Sequence, residues 1–366
     1  MPLLAGCANF FVKGNGTGGG GGGGTVIGGA GANYAYVLNR ATNTASGFLI
    51  GAGTLTPTPG SPYGFSFVPL SAVVTRANKY LYVAGPASIY ALRIGSDGSL
   101  ANSTQAGAVA VASESVLAVS PDGQWLFGLN SQSATLDEWQ IDQTTGTLTA
   151  KAGAAYTVTA GTRSPSALQV SPAGNYIFAA LGTAGDHVFT LNTSTGLALS
   201  AQELSLNSPT TSDNSLATDG TGSTLYIARS GTNGGLGVYA IGAAGVLQPS
   251  TGSPFATGQG TFDVAVDATN RFVYTANRTD GTISGFAILA GGTLTPLSGS
   301  PFQSGKLVTS LVADRSGKYL LAAAAGGSPD LTLYGFDANV AGKLTAAATA
   351  ASGTDPAGST LVALTH

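Results

Sequence analysis

One unit recurs seven times along this chain, and that repetition limits the possible folds more than any other feature. The unit is centred on a short apolar strand with an aromatic or aliphatic anchor. Its copies are Tyr34-Ala35-Tyr36-Val37, Tyr80-Leu81-Tyr82-Val83, Trp125-Leu126-Phe127-Gly128 and Tyr176-Ile177-Phe178-Ala179, then Thr224-Leu225-Tyr226-Ile227, Phe272-Val273-Tyr274-Thr275 and Tyr319-Leu320-Leu321-Ala322. The third residue of each falls at 36, 82, 127, 178, 226, 274 and 321, steps of 45 to 51 residues. Periods of this size belong to arrays in which one supersecondary unit stacks on its own copies.

Turn signals flank the anchors, blurred after the fourth at Gly196-Leu197-Ala198-Leu199. After the anchor comes a glycine and a short Leu-containing strand, as in Gly53-Thr54-Leu55-Thr56, Gly146-Thr147-Leu148-Thr149 and Gly292-Thr293-Leu294-Thr295. Before it comes a tight turn, as in Ser120-Pro121-Asp122-Gly123 and Ser171-Pro172-Ala173-Gly174, where proline, a small polar residue and glycine suit a type I turn. Each unit therefore reads as four short strands, with no window of sustained 3.6-residue periodicity for a helix. Seven such units predict an all-β, seven-bladed β-propeller over residues 32–366. The first unit starts at its anchor and lacks the strand before it. Leu361-Val362-Ala363-Leu364-Thr365 is like that missing strand, so the C-terminal strand is expected to complete the first blade and remove two open sheet edges.

Charged residues are only 8% of the chain, and the formal net charge is −3 with no cluster of Lys or Arg. Phosphate neutralisation needs such clusters, so no nucleic-acid partner is expected. No stretch of 18 apolar residues is present for a transmembrane helix. With a single cysteine, Cys7, no intrachain disulfide can form. No His/Cys spacing suits a metal, and neither metal nor cofactor is expected.

Leu4-Ala5-Gly6-Cys7 resembles the lipobox of bacterial lipoproteins, which implies cleavage before Cys7 and acylation of its thiol; residues 1–7 read as that remnant. Only Met1-Pro2-Leu3 precede the box, where the family carries a charged and apolar leader. Residues 8–31 follow as a glycine-rich tether holding Gly18 to Gly24 in succession. Eighteen such residues span roughly 24 Å as a flexible coil. The expected location is therefore extracytoplasmic, on the cell envelope, with membrane contact through the lipid anchor alone.

Phe272-Val273-Tyr274-Thr275-Ala276-Asn277, with Gly252-Ser253-Pro254-Phe255 and Gly299-Ser300-Pro301-Phe302, resembles the lactonase-like propellers with Tyr-Val-Thr-Asn repeats. That family includes 6-phosphogluconolactonases. The resemblance implies histidines at the inner-strand entrances, with Arg and acidic residues near the central channel. The aligned entrances here read Leu70, Ser115, Ser166, Asn214, Phe262, Thr309 and Thr360, with neither His nor Arg. A one-residue shift adds Glu114, Asp213 and Asp263. Glu114 and Arg163 precede inner strands of adjacent blades and are the candidate catalytic pair at one mouth. Arg163 is the one arginine expected near an entrance. His187, isolated on a strand, reads as a packed residue. The recurring aromatics Trp125, Tyr176, Tyr274 and Tyr319 read as inter-blade core.

The expected function is a non-catalytic, surface-anchored propeller that binds a protein or glycan partner or builds envelope structure. The alternative is a divergent lactone hydrolase. A third possibility, self-association, rests on the apolar Phe10-Phe11-Val12. The channel discriminates: Arg with an acid or His favours the enzyme, and a Ser/Thr/Asn lining favours binding.

Overall fold

A computed structural model describes residues 32–101, 107–130, 133, 135–156, 165–206, 208–353 and 361–366. The Leu4–Cys7 box, the tether, Arg163 and Thr360 lie outside these residues. The described chain forms seven antiparallel sheets in a ring. Blade 1 runs, from the centre outward, Leu361–Leu364, Asn33–Asn39, Thr44–Gly51 and Thr54–Pro57. The inner strands of blades 2 to 7 are Ser71–Val74, Val116–Val119, Ala167–Val170, Ser212–Thr218, Thr261–Val266 and Val308–Ala313. Two 3-10 turns, Ala243–Gly245 and Ala290–Gly292, are the helical elements among the described residues.

The core is divided by seam. Seven apolar clusters are present, one between each pair of neighbouring blades. Strand alternation explains the division. In Asn33–Asn39, the side chains of Tyr34, Tyr36 and Leu38 pack toward blade 2, while Ala35 and Val37 pack toward blade 7. A second strand of this kind is buried on both faces, so it reads as a continuous apolar run rather than an alternating one.

The anchor and the turn glycine prove to be two halves of one contact. The ring of Tyr34 packs on Gly98 of the next blade, Tyr80 on Gly146, Trp125 on Gly196 and Phe272 on Gly342. Each of these glycines has φ between 72° and 77°, in the left-handed region. Two residues along, Tyr36, Tyr82 and Tyr274 donate their hydroxyls to the carbonyls of Gly98, Gly146 and Gly342. Trp125, Tyr274 and Tyr319 thus lie at seams, with Tyr176 packed against the cluster between blades 4 and 5.

The ring closes as the terminal strands predict. Leu361–Leu364 pairs antiparallel with Asn33–Asn39, from Ala35↔Leu364 to Leu38↔Leu361. In blades 2 to 4 a hydroxyl of Thr75, Ser120 or Ser171 accepts from the backbone N–H that opens the second strand. Thr365 Oγ1 does the same for Tyr34 N at 2.8 Å, across 331 residues of sequence.

The fourth strand departs from the simple four-strand reading. In blades 1, 2, 3 and 6 it is split into two pieces that pair with the same third strand. In blade 6 these are Leu294–Pro296 and Phe302–Gln303, with the Gly-Ser-Pro segment between them. Proline lacks the N–H that a ladder needs. Where the fourth strand leaves, Ser61, Ser253 and Ser300 accept from the third-strand amides of Gly47, Val238 and Gly285, each at 2.9 Å.

Candidate functional site

The seven inner strands surround a central cavity of about 920 Å³. The six described entrance residues, Leu70, Ser115, Ser166, Asn214, Phe262 and Thr309, all line it. Inner strands are sheet edges, and their channel-facing backbone groups have no ladder partner within the blade. Side chains of adjacent blades supply the partners. Ser71 Oγ accepts from Leu117 N at 3.0 Å, Ser166 Oγ donates to Asp213 O at 2.9 Å, and Asn214 Nδ2 donates to Thr261 O at 2.9 Å. Asp263 Oδ2 accepts from Leu311 N at 2.7 Å. Much of the polar lining is therefore engaged in stapling one blade to the next.

Among the described residues, two charged side chains line the cavity, Arg40 and Asp263. Burial pushes the Asp263 carboxyl up to about 6, against the hydrogen bonds from Ser215 and Leu311 N. Arg40 is exposed, just beyond the end of Asn33–Asn39. Arg278 holds the equivalent place in blade 6, with its guanidinium 5.1 Å from the centre of the Phe262 ring. In blade 5, Arg229 forms a two-pronged pair with Asp213, at 2.6 Å and 2.7 Å. Its Nη2 lies 3.9 Å from Asp186 of blade 4.

These arginines correct the expectation that Arg163 alone stands near an entrance. They lie on second strands or just past their ends, so they do not fall at the inner-strand entrance positions of the repeat. Hairpin register shows where they arrive, since Asp213 pairs directly with Arg229 and Thr261 with Asn277, the neighbour of Arg278.

Glu114 is 0% exposed and is not among the residues lining the cavity. Its neighbour Ser115 faces the channel, while the Glu114 carboxyl lies over Gly128 inside blade 3, where a Cβ would meet it at 2.7 Å. Burial first, then the Asp137 charge, push it up to about 9. It is neutral at pH 7 and faces away from a channel ligand. His187 is buried and packed as its isolation implies, 4.5 Å from Phe189 ring to ring, with Nε2 2.8 Å from Ser200 Oγ. It too lies off the channel, and no histidine lines the cavity among the described residues. Nor do three or more His, Cys, Asp or Glu side chains converge among those residues as a metal site would require.

Residues 248–358 match the family model of the lactonase seven-bladed β-propeller. No curated protein matches the chain in sequence. In fold it is similar to a candidate 6-phosphogluconolactonase from Bacteroides fragilis, at 15% identity and a TM-score of 0.71, covering 92% of this chain and 98% of that one. It is also similar to a periplasmic gluconolactonase from Pseudomonas aeruginosa, at 22% identity and a TM-score of 0.59, covering 78% and 83%. Kuenenia stuttgartiensis hydrazine synthase carries the fold as well, at 15% identity and a TM-score of 0.63, covering 83% and 92%. Proteins named for such different chemistries share this scaffold, so function has to be argued from the site.

Proposed function

We propose that this lactonase-like propeller is a non-catalytic binding protein of the cell envelope, tethered through Cys7, and that the channel mouth receives a neutral, hydroxyl-rich ligand such as the end of a glycan. The observation that carries this reading is the state of the polar lining. Hydroxyls and amides dominate it, and several are committed to inter-blade bonds that hold them rigid. Fixed hydroxyls and amides suit hydrogen bonding to sugar hydroxyls, with Leu70 and Phe262 as apolar contacts. General-base catalysis contributes about 10²–10⁴-fold and needs a positioned base. The strongest pair of charges near the mouth, Arg229 with Asp213, is already closed on itself.

A divergent lactone hydrolase is the second reading, favoured by Asp263 and Arg40 lining the same cavity, one a carboxyl held near 6 and the other an exposed cation. Loss of 6-phosphogluconolactone over the spontaneous background separates the two. The expected result is no excess rate. A clear excess that disappears in both Asp263→Asn and Arg40→Ala supports the hydrolase instead. In a host carrying a full leader, Cys7→Ser is expected to move the protein out of the membrane fraction, and unchanged fractionation removes the anchor.

A further inference from the structure

Among the described residues, the seam between blades 4 and 5 holds two buried carboxyl groups and one cation. Asp186, at the start of the blade 4 strand Asp186–Asn192, is 2% exposed, and Asp213, on the inner strand of blade 5, is 0% exposed. Arg229 gives both of its close hydrogen bonds to Asp213. Asp186 is left with a 3.9 Å approach to Arg229, and among the described residues neither of its oxygens accepts a hydrogen bond. One guanidinium cannot neutralise two desolvated carboxylates, and an uncompensated buried charge is strongly unfavourable. The least costly state puts a proton on Asp186, which then donates to Asp213.

We infer that Asp186 and Asp213 share a proton that locks blade 4 to blade 5 beside the channel mouth, and that loss of this proton at alkaline pH loosens the seam. The backbone contacts at stake lie in the same place. Asp213 N donates to Gly182 O at 3.1 Å, and Asp213 O accepts from Ser166, an entrance residue of the channel. Asp213 therefore serves at once as carboxylate, backbone donor and backbone acceptor across the seam. Among the described residues, the other groups facing the pair are Arg229 and the hydroxyl of Tyr239, 3.5 Å from Arg229 Nη2. His187 occupies the opposite face of its strand, against Phe189 and Ser200, and Glu203 lies across from His187 on the outer strand. Burial first and the Asp213 charge second hold the Asp186 acid well above the ordinary carboxylate range. The sign follows: an acid protonated in the fold and ionised in the unfolded chain contributes less stability as pH rises through its folded value.

The lock does not depend on what the channel binds, so it stands or falls apart from the proposed function. The test is hydrogen exchange of the wild-type protein between pH 5 and pH 9, corrected for the intrinsic rate. Peptides covering Ser208–Leu216 are compared with peptides from the closing strand at Leu361–Thr365. The inference expects protection at the blade 4–5 seam to fall at least tenfold further over this range than protection at the closing strand. Asp186→Asn, which retains a donor without an ionisable proton, is expected to flatten the pH dependence at the seam. Equal pH dependence at both sites in the wild type overturns the lock. So does an Asp186→Asn protein whose seam still loosens with pH. If that variant does not fold, the wild-type comparison still decides.

Discussion

At the scale of single residues, the contact between an anchor ring and the next blade's turn glycine leaves no room for a side chain at that glycine. A Cβ on Gly196 would stand 2.3 Å from the Trp125 ring, on a backbone at φ 72°. Both strain and overlap oppose a side chain there. Gly196→Ala is expected to cost about 2–4 kcal/mol in urea unfolding. Gly51 is the control, because a Cβ there meets nothing within 4 Å, and Gly51→Ala should change stability by less than ~0.5 kcal/mol. Equal effects at the two positions would mean that the ring contact is incidental.

Among the elements, the closing strand makes the greatest difference to the ring. Val362 and Ala363 are buried, and without Leu361–Leu364 the edge of Asn33–Asn39 would face the channel unpaired. Deleting residues 361–366 is expected to cost about 3–6 kcal/mol from lost apolar burial and the reopened edge. A finer probe is Thr365. Thr365→Ala removes the acceptor for Tyr34 N and should cost about 1–2 kcal/mol, whereas Thr365→Ser should keep most of that bond. Unfolding midpoints that do not separate Ala from Ser at this position would show that the hydroxyl contributes nothing to closure.

For the whole molecule, low charge and buried acids set the response to pH. Burial first holds Glu114 near 9, Glu138 near 7 and Asp263 near 6, all above the ordinary carboxylate range. These groups bind protons in the fold that the unfolded chain releases near pH 4–5. Stability should therefore decline as pH rises from about 5 to about 9. The opposite shifts, at Asp97, Asp142 and Asp337, belong to groups near the surface held by local hydrogen bonds, and they matter only in stronger acid. Urea midpoints measured across this range check the direction. Glu114→Gln should flatten the curve between about pH 5 and pH 9, where the folded wild-type carboxyl holds a proton that the unfolded chain has released. A midpoint that rises toward pH 9 would contradict the buried-acid account.

The sequence by itself determined the blade count, the closure and the role of the anchor aromatics, because these follow from periodicity, turn chemistry and strand alternation within each unit. It also placed six entrance residues on the channel wall, since equivalent positions in a repeat meet at a common axis. The seams were decided only by tertiary structure. Whether Glu114 faces the channel or its own blade depends on which side of the backbone it leaves, and Gly128 opens space on the blade side. Arg229 reaches Asp213 through hairpin register, and it approaches Asp186 through the contact of blade 4 with blade 5. Charges that lie far apart along the chain acquire their chemistry when packing removes water between them, and no local pattern records that event.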